Sequence, residues 1–163
     1  MERILVFSDT HGQTSKVKKI IASIPDVTGV IHLGDVLRDV YSLEKEFEKI
    51  PFYYVAGNND YFSDVPDEKT IEISGVRMFI THGHRYISAF SNSDRLIYKG
   101  MEENASIILY GHTHVSMYRK IDGIIIANPG SITYPRGSEA GYGIIEIENG
   151  KATYANIPVE YFF

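Results

Sequence analysis

Two histidines, His112 and His114, stand one residue apart directly after the apolar run at 107–110. In an extended chain, residues i and i+2 point to the same side. His112 and His114 would therefore present two imidazoles to one place. Asp9 and His11 repeat this spacing after the first apolar run of the chain. A pair of surface-loop histidines would show the same pattern, so the interpretation depends on the rest of the chain.

Five apolar runs of the sequence each end in a short polar segment. The segments are SDTHG at 8–12, GD at 34–35, GNND at 57–60, THGH at 81–84 and GHTH at 111–114. Ligands of parallel α/β sheets bind at the carboxyl ends of the strands. We therefore expect the five segments to meet at one site.

The donors collected in these segments are two carboxylates, one amide oxygen and several neutral imidazoles, and the chain has no cysteine. Such oxygen and nitrogen donors suit Mn²⁺, our first expectation, and also Ni²⁺, Fe²⁺, Zn²⁺ or Mg²⁺. Seven donors are too many for one small ion, but they suit two ions about 3.5–4 Å apart that share a carboxylate.

The apolar pattern also predicts the elements that position these segments. The first third of the chain alternates strands and helices, which indicates a parallel sheet. The predicted elements are strands at 4–7, 29–34 and 52–56 and helices at 14–24 and 39–49. Later turn signals at 74–75, 122–123 and 149–150 predict hairpins, with a strand at 105–110 and a helix near 92–103. Two packed sheets with helices outside are expected.

Composition limits the class of protein. A chain of 163 residues with 44% hydrophobic content predicts one domain, 1–163. The net charge of −5 argues against stable nucleic-acid binding, which normally uses a basic face. No run approaches the ~18 apolar residues of a membrane span, and no leader pattern precedes the first strand. A cytoplasmic protein without membrane association is expected.

The segments DTH, GD, GNND, THGH and GHTH, in this order, resemble the calcineurin-like metallophosphoesterase superfamily, and most closely its small single-domain prokaryotic phosphodiesterase branch. The resemblance covers essentially the whole chain. It implies an α/β (α+β) fold, a four-layer αββα sandwich of two mixed β-sheets flanked by helices. It also implies a phosphodiesterase in which a water activated by two metal ions attacks a small phosphate ester.

The resemblance further implies a role for each candidate ligand. Asp9, His11 and His114 would bind one ion. Asn58, His82 and His112 would bind the other, and Asp35 would bridge both. The segments 128–131 and 135–136 look like a family loop that shapes the site from outside without ligating metal. An ordinary Pro-Gly turn would have the same sequence pattern.

Asn59 departs from the family pattern. Many members carry a histidine at this position, directly after the asparagine of the GN segment, where it helps to protonate the leaving group. An amide cannot act as a general acid. We therefore expect a preference for diesters or activated esters.

Several roles stay open at the level of sequence. Asp60 would either orient His11 or a bound water, or cap its own loop. His84 would contact substrate phosphate or line the rim of the site. Arg38 and Arg85 are candidates for a phosphate clamp, against the alternative of solvated surface residues.

Other residues lie outside the five segments. His32 lies inside a predicted strand and is expected to be a hydrogen-bonded structural residue. Aromatic residues in or near the site loops would favour a nucleotide-type diester if some of them stack on a base: Tyr41, Tyr61, Phe62, Tyr86, Phe90 and Tyr134. The apolar end 159–163 either packs on a sheet edge or forms a subunit contact, which leaves a homo-oligomer open.

Two other functions fit the same fold. One is a phosphomonoesterase. The other is a protein-interaction scaffold, since a eukaryotic retromer subunit of this fold acts mainly through surface binding with an impaired metal site. All seven ligand positions are intact here, which favours an enzyme.

Overall fold

Strands and helices alternate in the first third of the chain. The computed structural model describes residues 1–88 and 92–159. Its first elements are β1 (Glu2–Phe7), α1 (Thr14–Ser23), β2 (Gly29–His32), α2 (Leu37–Glu46) and β3 (Phe52–Tyr54). β1 pairs in parallel with β2, and β2 in parallel with β3. The predicted βαβαβ order is confirmed.

Hairpins dominate the rest of the chain. The elements are β4 (Glu68–Ile73), β5 (Val76–Thr81), α3 (Asp94–Glu102), β6 (Ile107–Leu109), β7 (Met117–Ile121), β8 (Ile124–Asn128), β9 (Gly141–Glu148) and β10 (Lys151–Pro158). Ser74, Asp122 and Asn149 have φ of 48°, 49° and 52°, and a left-handed glycine follows each. Two consecutive left-handed residues are typical of tight hairpin turns, and the three predicted turns join β4–β5, β7–β8 and β9–β10.

The strands form two mixed sheets of five. The first has the order β10-β9-β1-β2-β3 and the second β4-β5-β6-β8-β7. The central strands of each sheet run parallel, and antiparallel strands complete the edges.

Alternate residues of β1 face two different layers. Ile4 and Val6 are fully buried in the cluster between the two sheets. Leu5 and Phe7 are equally buried, but pack against residues of α1 and α2. On the other side, α3 covers the second sheet with Leu96 and Ile97. These layers confirm the predicted αββα sandwich.

Helix α2 differs from its prediction by two residues at its start and three at its end. It was expected over 39–49 but begins at Leu37, because Asp60 from a distant loop accepts a hydrogen bond from the Leu37 amide at 2.8 Å. It ends at Glu46, where the Phe47 amide closes the last turn on Leu43 O at 2.9 Å. Hydrophobic periodicity cannot show a cap supplied by another loop.

The helices and the C-terminal segment bear on two further expectations. Among residues 1–88 and 92–159, no helix has the length and apolarity needed to cross a membrane. Val159 is buried against the α1 side of the first sheet. The rest of the C-terminal segment, 160–163, lies outside the described residues, as does Phe90.

Candidate metal centre

The seven candidate ligands come from the ends of five strands. β1, β2 and β3 of the first sheet lead to Asp9 with His11, to Asp35 and to Asn58, whereas β5 and β6 of the second sheet lead to His82 and to His112 with His114. Donor atoms within 4.8 Å of one another form two groups, Asp9 with His11 and His114, and Asp9 with Asp35 and His82.

Asn58 brings the remaining donors to the same place. Its Oδ1 lies 3.0 Å from His82 Nε2 and 3.2 Å from His112 Nδ1. His82 Nε2 is in turn 3.6 Å from Asp35 Oδ2. All seven predicted donors therefore lie together at the carboxyl ends of the strands that carry them.

The two oxygens of the buried Asp9 carboxylate are used differently. Oδ2 accepts hydrogen bonds from Ser8 Oγ at 2.6 Å and from the His112 amide at 3.0 Å. Oδ1 is buried without a hydrogen-bond partner in the described structure, as is His11 Nε2, which lies 3.8 Å away. Buried polar atoms are normally satisfied, so this orphaned pair fits a bound cation.

Backbone carbonyl oxygens fix the ring orientation of two histidines. His82 Nδ1 lies 2.7 Å from Leu33 O, and His114 Nδ1 lies 2.7 Å from Tyr134 O. A carbonyl oxygen only accepts, so each Nδ1 carries the proton. This tautomer leaves the Nε2 lone pair free for a metal, the usual arrangement for a ligating histidine.

Electrostatics around Asp9 and the histidines favours cation binding. Burial alone would raise the pKa of Asp9, but contact with His114 and the charge of His82 hold that pKa below its ordinary value. Burial lowers the pKa of His112, which favours its neutral, ligating form. Contact with Asp9 raises the pKa of His114, so a metal ion would compete with a proton for this ring.

The backbone turns sharply at most of these residues. Five of the seven have positive φ, namely Asp9 (54°), His11 (45°), Asp35 (47°), His112 (68°) and His114 (61°). Non-glycine residues rarely adopt this region, and those that do cluster at functional sites.

Two glycines allow the loops to approach one another. A Cβ on Gly57 would lie 1.8 Å from Asp35 Oδ1, and a Cβ on Gly111 would lie 2.0 Å from Ser8 Oγ. Both positions therefore need glycine if the Asp35 and Asp9 carboxylates are to stay where they are.

Asn59 binds the Asp35 carboxylate, a contact that the sequence did not predict. Its backbone amide donates to Oδ1 at 3.1 Å, and its side-chain Nδ2 donates to Oδ2 at 2.7 Å. Each carboxylate oxygen therefore accepts one hydrogen bond from Asn59. The asparagine orients a candidate ligand at the position where many members of the resembled family have a histidine.

Asp60 holds two loops and one helix together. Its carboxylate accepts hydrogen bonds from the backbone amides of Asp35 (3.1 Å), Leu37 (2.8 Å) and Gly57 (2.7 Å). These contacts match the alternative in which Asp60 caps its own loop. They also reach the loop that carries Asp35. Each described hydrogen bond of the Asp60 side chain goes to a backbone amide, and none goes to His11.

A buried hydrogen-bonded chain lies beneath the site. His32 Nδ1 accepts from the Gly34 amide at 3.1 Å, so its proton is on Nε2, which donates to Thr10 Oγ1 at 3.1 Å. Thr10 in turn donates to Asp39 Oδ2 at 2.6 Å. His32 is a structural histidine, and burial lowers its pKa to about 4. Asp39 was not predicted as part of the site, because its contact with Thr10 joins residues 29 positions apart.

His84 and the two arginines lie at the rim. The His84 ring is 5.5 Å from that of His82, and its Nε2 is 3.5 Å from Asp67 Oδ2. Arg85 Nε pairs with the same carboxylate at 2.7 Å. Arg38 is exposed at the start of α2. A clamp formed by Arg85 would have to share its charge with Asp67.

The loop after β8 supports the site from outside. Ser131 Oγ donates to Asp9 O at 2.8 Å, and Thr133 Oγ1 donates to Thr10 O at 2.8 Å. Asn128 Nδ2 donates to Gly111 O at 3.0 Å. These bonds hold the backbone of the two segments that carry the Asp-x-His and His-x-His pairs.

Comparisons with known proteins agree with this architecture. Residues 2–150 match the model of the calcineurin-like phosphoesterase superfamily domain. A probable metallophosphoesterase of Bacillus subtilis is 30% identical over 92% of this chain and 87% of its own length. A phosphodiesterase of Methanocaldococcus jannaschii is 30% identical over 97% of this chain and 99% of its own length.

Solved structures show the same fold. A predicted phosphoesterase from Streptococcus pneumoniae superposes with a TM-score of 0.77 at 32% identity, covering 95% of this chain and 89% of its own. The zinc complex of Vps29 from Entamoeba histolytica, at 18% identity, has a TM-score of 0.76 and covers 96% of this chain and 99% of its own. This second likeness concerns the fold alone. The chain belongs to the calcineurin-like phosphoesterase superfamily and is a metal-dependent phosphoesterase.

Proposed function

We propose that this protein hydrolyses phosphodiesters with two divalent metal ions, Mn²⁺ in the first instance. One ion is held by Asp9, His11 and His114. The other is held by Asn58, His82 and His112, and Asp35 bridges them. The proposal rests on two buried donor atoms without a hydrogen-bond partner, Asp9 Oδ1 and His11 Nε2. The other five candidate donors lie close to them.

The hydrogen bonds of the two carboxylates support different roles for them. Asp9 Oδ2 already accepts two hydrogen bonds, which leaves Oδ1 as the oxygen available to metal. Asp35 has one hydrogen bond on each oxygen, so each oxygen retains a lone pair. Both oxygens of Asp35 would therefore be available to metal, which suits a shared ligand. Asp9 lies near both donor groups and would offer Oδ1.

Hydrogen bonds to backbone carbonyl oxygens orient two of the donors. Leu33 O and Tyr134 O hold His82 and His114 with Nε2 turned toward the cleft. Two bound ions would supply a water of lowered pKa as the nucleophile and positive charge for the phosphoryl oxygens. The chain itself supplies the ligand geometry and the buried setting.

Asn59 favours activated esters, or diesters whose leaving group needs little protonation. Its amide is committed to Asp35 and has no proton to give to a leaving alkoxide. Unactivated monoesters depend on such a proton more than esters with good leaving groups do. The name of the Methanocaldococcus jannaschii relative, a phosphodiesterase, supports the same substrate class.

A comparison of two nitrophenyl esters tests this proposal. The protein is stripped with a chelator, reloaded with Mn²⁺, and assayed with bis(p-nitrophenyl) phosphate and p-nitrophenyl phosphate. We expect no turnover without metal and a higher kcat/KM for the diester with it. A faster monoester would identify a phosphomonoesterase. Inactivity with Mn²⁺, Ni²⁺, Fe²⁺, Zn²⁺ and Mg²⁺ alike would favour a scaffold. Either result would overturn the proposal.

A further inference from the structure

A groove lies beside the candidate metal centre, between the start of α2 and the loop after β3. Its volume is about 640 Å³, within the ~300–1,000 Å³ of typical small-molecule sites. Its lining includes Arg38, Tyr41, Asn59, Tyr61, Phe62 and Asp64.

The groove adjoins the proposed catalytic site at Asn59. Asn59 lines the groove and donates to Asp35 Oδ2 at 2.7 Å. Val36, the residue after Asp35, lines it as well. A substrate whose phosphate lies at the metal centre can therefore extend one of its two ester groups into this groove.

Exposed aromatic rings line the outer part of the groove. Phe62 is fully exposed, and Tyr61 is 76% exposed. Phe62 also has φ of 58°, an uncommon conformation for a bulky residue. Tyr41 is about half exposed, and its ring meets the ring of Tyr54 edge to face at 6.0 Å. Adjacent large aromatic side chains in water are unfavourable unless a ligand covers them.

We propose that this groove binds the base of a nucleotide-type phosphodiester, stacked on Phe62 and its aromatic neighbours. The proposal rests on the proposed function, since the scissile phosphate must lie at the metal centre. Stacking on aromatic side chains suits any base, because every base has a π-face. Arg38 is exposed beside the rings and can contact polar edges of the base or sugar.

The charges of the groove favour a base over a second copy of this chain. The exposed Asp64 carboxylate lies in the groove wall, and the protein carries a net charge of −5. Closing this face against an identical acidic face would bring like charges together. A neutral base in the groove brings no further negative charge close to Asp64.

Two esters with the same leaving group provide the test. These are thymidine 5′-(p-nitrophenyl phosphate), which carries a base, and methyl p-nitrophenyl phosphate, which carries none. The wild-type protein loaded with Mn²⁺ should show a kcat/KM at least about tenfold higher for the thymidine ester, in line with the energy of one stacked base.

Variants of the exposed rings separate stacking from other causes. Phe62→Ala and Tyr61→Ala should each lower kcat/KM for the thymidine ester about fivefold to tenfold and leave the methyl ester within about twofold. Phe62→Asn fits the left-handed backbone and should behave like Phe62→Ala, whereas Phe62→Tyr should retain the preference. Tyr98→Ala removes a ring that is 66% exposed on α3, away from the groove, and should change neither ester.

Binding supplies a readout that does not depend on turnover. Calorimetry with thymidine 5′-methylphosphonate should show weaker binding to Phe62→Ala than to the wild-type protein. If neither ester is cleaved, the proposed function fails. The titration then tests by itself whether the groove binds a base.

Three results would overturn the groove proposal while the phosphodiesterase stands. The methyl ester could be cleaved as well as the thymidine ester. The preference could survive in both alanine variants. Phe62→Ala could instead change the oligomeric state measured by sedimentation without changing the preference, which would assign the rings to a subunit contact.

Discussion

Asp9 and Asp35 show how hydrogen bonds give two carboxylates of one site different capacities. Ser8 and the His112 amide occupy one oxygen of Asp9, whereas Asn59 occupies both oxygens of Asp35 once each. Asp9 therefore has one oxygen free of hydrogen bonds, whereas each oxygen of Asp35 retains a lone pair. The residues around the ligands thus influence which carboxylate oxygens are available to metal.

Removing the Asn59 side chain should weaken metal binding. Asn59→Ala takes away the Nδ2 donor that orients Asp35 Oδ2 and leaves the backbone donor in place. Loss of such an outer contact typically lowers metal affinity by about 10- to 100-fold. Calorimetric titration with Mn²⁺ measures this change. Asn149→Gly, at the distant β9–β10 turn, is the matched control, and equal affinities for the two variants would refute the role given to Asn59.

His32 should make stability depend on pH in a defined window. Burial lowers its pKa from 6.5 to about 4 in the folded protein, so the unfolded chain takes up this proton first as the pH falls. The contribution of neutral His32 is complete above pH 6.5 and is lost between pH 6.5 and 4. The loss amounts to about 3 kcal/mol of the free energy of unfolding.

The His32→Gln variant isolates this effect, because glutamine does not titrate. Denaturant unfolding of chelator-treated wild-type and variant proteins, measured from pH 7.5 to 4, gives the difference in their free energies of unfolding. That difference should shrink as the pH falls. A constant difference would mean that His32 is not held neutral by the fold.

Sequence reasoning found the site residues that follow strands and missed those that act across long separations. The seven candidate ligands all lie at strand ends, where position along the chain predicts position in space. Thr10 and Asp39 are 29 residues apart, and Asn59 is 24 from Asp35. These partners become neighbours only when β1, β2 and β3 align, so local patterns carried no signal for them.

At the scale of elements, a single carboxylate joins α2 to the site. Asp60 binds the amide that begins the helix and two amides of the loops that carry Asp35 and Asn58. The helix has no side-chain cap of its own. The position of α2 is thereby linked to the positions of two candidate ligands.

Loss of the Asp60 carboxylate should destabilise the fold. Asp60→Ala leaves three partly buried amides without their acceptor, at a cost of about 2 kcal/mol or more. Asp60→Asn keeps one acceptor oxygen and should lose less. Asp64→Ala removes an exposed carboxylate of the same loop and should stay within about 0.5 kcal/mol of the wild type. Chemical denaturation of the three variants tests this order, and a silent Asp60→Ala would contradict it.

The elements were predictable where their causes are local. Alternating burial in β1, the apolar stripe of α1 and the three hairpin turns depend on neighbouring residues. The limits of α2 depend on Asp60, a tertiary contact, and were misplaced. The strands at 29–34 and 105–110 were predicted too long, since the chain leaves the sheets at His32 and Leu109 to form the site loops.

At the scale of the whole molecule, the candidate ligands come from both sheets. Asp9, Asp35 and Asn58 follow strands of the first sheet, while His82 and His112 follow strands of the second. Ions bound among them would connect the two halves of the sandwich. A ligand that binds only the folded protein stabilises it by mass action.

Metal should therefore raise the thermal stability of the protein. With free Mn²⁺ at about 100 times its Kd, the expected gain is about 2.7 kcal/mol for one site. Thermal unfolding with chelator and with Mn²⁺ measures the shift in Tm. Asp9→Ala should reduce the shift, and a wild-type Tm indifferent to the metal would show that no ion connects the sheets.

We expect two ions to bind at this site and both to be needed for turnover. Mn²⁺ is titrated into chelator-treated protein, and bound metal and bis(p-nitrophenyl) phosphate hydrolysis are measured in the same samples. Binding should saturate at two ions per chain, with turnover rising as the second ion binds. Saturation at one ion, or turnover that persists in the metal-free protein, would contradict the two-ion mechanism.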